Sequence, residues 1–365
     1  MNAHDTPQRL QTVDDTLSAD TAYCLACEGT QLVWQGDFHN AKQLMQAMAR
    51  RIDQSAKRRK KPPASVDGVH PAAQAFHRHR QAQAHRARIL GAIVLPMQGD
   101  YTLPLRRAPD VREACLAAWG PATTEPLHVP LRELLGVIGA HEWRKKGVEV
   151  PALGEAPNNR IHPYHGVFSP VRGEYVDLVA RAPLPSTELA FDIGVGTGVL
   201  SAVLVKRGVQ HVVATDQDPR ALACAQDNLQ RLGCASQVRL QQTHLFAQGL
   251  APLLICNPPW LPARPTSPIE HAVYDEGSGM LRGFLAGLRT HLSPHGEGWL
   301  ILSDLAEHLH LRSRAELLQW IDAAGLRVIA RADTRPRHSK ASDPRDPLHA
   351  ARSAEITSLW RLAAA

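Results

Sequence analysis

A chain of 365 residues, 44% hydrophobic and 21% charged, is long enough to bury two cores and has the mixed composition of an ordinary soluble globular protein. Met1–Asp20 holds no apolar run, and no later stretch approaches the roughly 20 residues that a bilayer-spanning helix needs. The expectation is a cytoplasmic protein with no membrane contact. The formal charge of +6 favours acidic partners such as RNA without demanding them.

The first elements in chain order are helical. AKQLMQAMARRI sets Leu44, Met45, Met48 and Ile52 on one face, and LRELLGVIGAHEW does the same with Leu131, Leu134, Leu135 and Ile138. The methionines there are core filler rather than a cofactor box. Between these helices runs the basic excess. Arg51, Lys57, Arg58, Arg59, Lys60 and Lys61 face only Asp53, and FHRHRQAQAHRAR from Phe76 to Arg88 carries no acid. Such runs are commonly solvated helix faces, and equally often interaction segments, so Arg51–Lys61 and Arg78–Arg88 are the candidate contacts for nucleic acid or ribosome. Cys24 and Cys27 form half of a zinc site, but no second Cys-x-x-Cys follows and His39 fits no standard spacing. No metal is expected, and the six cysteines read as reduced thiols.

The pattern changes near Gly147–Pro163. The expected layout is a smaller α+β domain at 1–146, basic and concerned with substrate recognition, a linking hairpin and helix at 147–185, and a catalytic domain at 186–365. From Glu188 strands and helices alternate: LAFDIG, TGVLSAVLVKRG, HVVATD, DPRALACAQDNLQRLG, VRLQQT, LLIC. This is the signature of an α/β fold, a doubly wound, mostly parallel, Rossmann-like sheet with right-handed crossovers. Asp218 as N-cap, Pro219 at the first helical position and Gly233 at the end bracket one helix. A helix around 279–292, the strand GWLILSD and a helix around 314–324 follow. LRVIARAD and EITSLWRL then read as an antiparallel pair closing the sheet edge.

Two turns carry the chemistry. FDIGVGTGVL places Asp192, Gly194, Gly196 and Gly198 between strand and helix, where glycines let a ligand approach bare backbone. The dinucleotide fingerprint would need glycine at Val199, or at Ser201 when counted from Gly196, so a pyrophosphate grip is disfavoured. Asp216 ends the next strand, where a carboxylate accepts from ribose hydroxyls. The second turn, LICNPPWLP, passes from an apolar strand into Asn257-Pro258-Pro259-Trp260, a rigid extended frame.

Asp192-x-Gly194-x-Gly196-x-Gly198, Asp216 and Asn257-Pro258-Pro259-Trp260 together resemble a class I S-adenosylmethionine-dependent methyltransferase of the Asn-Pro-Pro-aromatic, small-domain branch, which methylates planar nitrogens. GVFSPVRGEYVDLV and AVYDEGSGMLRGFL resemble the segments flanking these motifs in release-factor glutamine methyltransferases. The resemblance spans roughly Glu149 to Asp333. It implies S-adenosylmethionine bound by Asp192, Gly194, Gly196, Gly198, Asp216, His244 and Asn257, with Asn257, Pro258, Pro259 and Trp260 at the acceptor. His244 stands where the family has an acidic residue against the adenine, and Trp260 replaces the commoner tyrosine. Arg172 and Glu174 are expected to fold over the cofactor or to form a surface ion pair. Asp275 and Glu276 either help place the substrate or cap the following helix.

A planar amide or aniline-like nitrogen is a poor nucleophile because its lone pair is delocalised. Acceptance of its N–H groups by the Asn257 side-chain oxygen and the Pro258 carbonyl would pin the nitrogen toward the sulfonium methyl and stabilise developing positive charge. Trp260 would stack on the flat acceptor. Either turn alone is commonly just a strand ending, but their joint occurrence at strand ends favours catalysis. Three functions compete: a glutamine amide of a translation-related protein as acceptor, the exocyclic amine of an rRNA or tRNA base, and a non-catalytic module that keeps only the fold.

Overall fold

The computed structural model describes residues 9–58, 68–171, 173–265, 270, 272–337 and 343–365. Contacts divide the chain into two compact units, Met1–Val69 with His77–Glu142 and His70–Phe76 with Trp143–Ala365.

The first unit contains β1 (Leu10–Val13), α1 (Ala19–Cys27), β2 (Gln31–Trp34), α2 (Phe38–Arg58), most of α3 (Pro71–Leu90), β3 (Ile93–Met97), α4 (Arg112–Trp119), β4 (Leu127–Pro130) and most of α5 (Leu131–Lys146). Its sheet has the order β1-β2-β3-β4, the first three strands parallel and β4 antiparallel to β3. Helix and strand are both present as expected, but the helical crossovers make this sheet chiefly parallel. Leu44, Met48, Leu131 and Leu134 are buried in its core, with Met45, Ile52, Leu135 and Ile138 packed at the margin. The exposed Cys24 and Cys27 lie on α1, and among the described residues no group of three or more metal-ligating side chains converges. Arg51 pairs with Asp20 and Arg86 with Asp53, all on this unit's surface. Arg59–Lys61, and the side chains of Lys57 and Arg58, lie outside the described residues.

In the second unit a short hairpin, β5 (Val148–Glu149) and β6 (Arg160–Ile161), leads through α6 (Glu174–Arg181) into the large sheet. There follow β7 (Leu189–Ile193), α7 (Val199–Lys206), β8 (His211–Asp216), α8 (Pro219–Arg231), β9 (Val238–Gln242), β10 (Ala251–Cys256), α9 (Gly279–His291) and β11 (Leu292–Ser303). The chain ends through α10 (Leu305–His308), α11 (Arg314–Ala323), β12 (Leu326–Thr334), α12 (His349–Ala354) and β13 (Thr357–Ala364). The sheet order is β12-β13-β11-β10-β7-β8-β9. β7 to β11 run parallel, and β13 is antiparallel to both its neighbours. The antiparallel strand therefore sits one place inside the edge, and the outer strand β12 again runs with the majority.

The central strands β7, β8, β10 and β11 are largely buried on both faces, and period two sorts their side chains. Ala190, Val212, Ala214, Leu253, Ile255, Trp299 and Ile301 pack with α6, α7 and α8. Their chain neighbours Phe191, Val213, Leu254, Cys256, Leu300 and Leu302 pack with α9 and α11. Each such fully buried Leu, Ile or Phe contributes about 1.5–3 kcal/mol, which is why near-continuous apolar runs here read as strands. No helix among the described residues is long and apolar enough to cross a membrane.

One buried polar residue ties these layers together. Asn228 of α8 is 0% exposed; its Oδ1 accepts from the His162 amide at 2.7 Å, and its Nδ2 donates to the Thr197 carbonyl at 3.1 Å. Asn228→Ala leaves both backbone groups buried without these partners and should cost about 2–4 kcal/mol. A urea unfolding midpoint equal to the wild-type value would refute this role.

Candidate active site

Register brings the motif turns together. Ile193, the last residue of β7, is opposite Thr215 of β8 on one side and Cys256 of β10 on the other. The next residues are therefore Gly194, Asp216 and Asn257, side by side at the carboxyl ends of three adjacent strands. β7 connects to β8 on one side, while the chain returns to β10 on the other. This is the topological switch point where open α/β sheets place their ligands.

The glycine loop is held in a shape only glycine adopts readily. Gly194, Gly196 and Gly198 have φ of 77°, 52° and 80°. The Thr215 carbonyl accepts from the amides of Gly194 and Val195, and Gly196 N donates to Asp216 Oδ2 at 3.1 Å. A Cβ on Gly194 would come within 2.6 Å of Met280 Cε, and one on Gly198 within 3.3 Å of Ala225 in α8. Gly194 and Gly196 thus open the backbone to a cavity, whereas Gly198 lets α8 close on the loop.

That cavity has a volume of about 620 Å³. Gly194, Gly196, Asp216, His244, Asn257, Pro258, Pro259 and Trp260 all line it; Asp192 and Gly198 do not. His244 sits exposed at the rim, in a segment anchored where Thr215 Oγ1 donates to the Leu245 carbonyl. Asp216 is half-buried: its Oδ1 accepts from the Asp218 amide at 3.0 Å, and burial raises its carboxyl above the ordinary value. Asn257 and Trp260 are partly buried and joined by a hydrogen bond from Trp260 Nε1 to Asn257 Oδ1 at 2.9 Å.

Asp192 departs from the expectation that it touches the ligand directly. It is 1% exposed, beneath the loop, and Ser201 Oγ of α7 donates to its Oδ2 at 2.6 Å. Its Oδ1 has no hydrogen-bond partner among the described residues. A lone serine inside the apolar run VLSAVLVK was the sequence signal for that partner. Glu174 likewise opens α6 as a buried side chain away from the cavity, and Arg172 lies outside the described residues. Phe168 and Tyr175 of the same stretch line the cavity. Asp275 lines it and also caps α9, accepting from the amides of Met280 and Leu281.

Leu261, Ala272, Val273, Tyr274, Leu305 and Arg352 also line the cavity. Arg352, on α12, gave no sequence signal. Its Nε lies 3.0 Å from Asp346 Oδ2, and neither of its Nη groups is hydrogen-bonded among the described residues.

Residues 158–311 match the family model of the methyltransferase small domain. A tRNA1(Val) (adenine(37)-N6)-methyltransferase of Shewanella sp. (strain W3-18-1) is 28% identical over 170 residues, 44% of this chain and 71% of that protein. The chain is an S-adenosylmethionine-dependent methyltransferase. A release factor glutamine methyltransferase of Cereibacter sphaeroides is 32% identical over 164 residues, 44% of this chain and 55% of its own length. A ribosomal protein L11 methyltransferase of Vibrio campbellii is 28% identical over 142 residues, 38% of this chain and 45% of its own length. The methyltransferase's relatives thus carry names that include both RNA and protein acceptors.

Burial raises the Asp192 carboxyl from the ordinary 3.8 to about 6, against the lowering effect of the Ser201 bonds. The unfolded chain ionises this group first, so stability is complete below pH 3.8 and is lost as the pH rises through 6, by roughly 3 kcal/mol. In the absence of cofactor, Asp192→Asn should therefore raise the Tm at pH 7.5 and leave it nearly unchanged at pH 4. Equal shifts at both pH values would contradict the buried ionisation.

Proposed function

We propose that this methyltransferase transfers a methyl group to a planar nitrogen of a macromolecule, first a glutamine side-chain amide of a translation-related protein. The residues fit S-adenosylmethionine on two counts: the cavity reaches bare backbone at Gly194 and Gly196, and Asp216 turns a carboxylate to it. Asp216 would accept from the ribose hydroxyls, the glycine loop would hold the amino-acid end, and His244 with Leu245 would border the adenine. When bound, S-adenosylmethionine would supply a methyl group activated by its sulfonium; its transfer would exchange the C–S bond for an N–C bond, release S-adenosylhomocysteine and send one proton of the nitrogen to solvent.

The observation that carries this reading is the place of Asn257-Pro258-Pro259-Trp260 on the cavity wall, next to the glycine loop. The Asn257 side-chain oxygen and the Pro258 carbonyl are the acceptors for the substrate N–H groups, and they draw off positive charge as it develops on the nitrogen. No separate base is needed. Pro258, Leu261 and Leu305 give this part of the cavity buried apolar walls. Likeness to the release factor glutamine methyltransferase, at 32% identity, supports the amide.

A second acceptor, the exocyclic amine of an RNA base, is favoured by a specific feature. Arg352 brings a guanidinium to the cavity wall, its Nε beside Asp346 and its two Nη groups without a hydrogen bond among the described residues and so available to a phosphate. The basic faces of α2 and α3 would then add phosphate contacts.

Asn257→Ala should lower turnover by about 100-fold or more while S-adenosylmethionine affinity, measured by calorimetry, stays near the wild-type value. Asp216→Ala should weaken that affinity first. Swapped phenotypes would overturn the assignment of roles.

The acceptor is decided by transfer of labelled methyl into an extract of cells lacking the protein, split between protease and ribonuclease. Label lost to protease alone supports the glutamine amide; label lost to ribonuclease alone supports the base. In the second case Arg352→Ala should raise the apparent KM for RNA, an effect that fades as salt rises.

A further inference from the structure

The bond between Trp260 and Asn257 says more than proximity. An indole nitrogen only donates, so the atom it meets at 2.9 Å has to be the carboxamide oxygen, and the orientation of the Asn257 amide is fixed without ambiguity. The spacing is built into the chain, because Pro258 and Pro259 hold φ near −65° and leave little freedom between the two side chains. The indole itself packs against the apolar layers on both faces of the sheet, so it does not swing away from the bond.

We propose that Trp260 is a positioning residue: its indole N–H holds the Asn257 oxygen by one lone pair, so that the second lone pair stays directed at the N–H of the acceptor. This rests on the reading of Asn257 given above. A carboxamide turned by half a revolution would present its NH2 group to the substrate N–H and repel it. The indole removes that alternative before substrate arrives, at the cost of some acceptor strength in the oxygen. Trp260 thus acts through Asn257, whatever ring surface it also offers to the acceptor.

The proposal depends on where the ring carries its hydrogen. In tryptophan the N–H lies two bonds from Cγ. Tyrosine carries its hydroxyl at the far end of a six-membered ring and phenylalanine has no donor, so neither reproduces the bond despite matching the aromatic surface. Histidine is smaller and more polar, yet its Nε2 also lies two bonds from Cγ. The order of activity expected from positioning is therefore Trp, then His, then Tyr and Phe; stacking or packing alone would place Tyr and Phe above His.

The test uses the full chain with 15N-labelled tryptophan and three variants, W260H, W260Y and W260F, at pH 8 where imidazole is neutral. The Trp260 indole resonance, identified by its loss in W260F, should move to the position of a weaker hydrogen bond in Asn257→Ala. Methyl transfer into the extract described above should fall about 10- to 100-fold in W260Y and W260F, with S-adenosylmethionine affinity unchanged, and recover in W260H. An indole resonance unmoved by Asn257→Ala overturns the proposal. So does W260Y or W260F at wild-type turnover, or W260H no better than W260F. If the wild-type enzyme labels nothing in the extract, the proposed function fails instead, and the indole resonance decides the bond independently of turnover.

Discussion

The register of β7 between β8 and β10 is the constraint on which the site depends. Ile193 is opposite both Thr215 and Cys256, so three turns far apart in sequence begin at the same level of the sheet. Because side chains alternate with period two, a one-residue slip in either pairing would send the whole apolar set of that strand to the opposite face. The two cores resist this: Ala190, Leu253 and Ile255 have places among α6, α7 and α8, and Phe191, Leu254 and Cys256 among α9 and α11. Packing therefore fixes the spacing between the glycine loop, Asp216 and Asn257 before any ligand binds.

Buried polar groups then set the fine shape of that junction. The Thr215 carbonyl, Asp216 and Asn228 hold the loop through its backbone, and Asp192 is held in turn by Ser201. A loop with three left-handed glycines is entropically costly to order, and these bonds offset that cost. Asp192 is the exception, a buried carboxyl with one oxygen unpaired and its ionisation pushed toward neutrality.

The rest of the cavity wall is organised differently. It comes from segments outside the alternating strands and helices: 257–261 after β10, 272–275 before α9, the start of α10, and α12 between β12 and β13. Two prolines stiffen the first of these and Asp275 pins the second to α9.

The sequence by itself determined the alternating elements, the caps of α8, the glycine loop and the Asn-Pro-Pro turn, because each rests on local chemistry: period, capping oxygens, positive φ and missing amides. Of the ten residues it marked for the site, eight line the cavity, with Asp192 and Gly198 set behind the wall. What only the tertiary structure decided was partnership. That Ser201 would hold Asp192, that Phe168 and Tyr175 would line the cavity while Glu174 turned away from it, and that Arg352 would reach it from α12 depend on residues with no local pattern linking them. The position of β13 inside β12 is of the same kind. Such pairings follow from how closely two surfaces can pack once the backbone has closed, and a one-dimensional pattern carries no record of that distance.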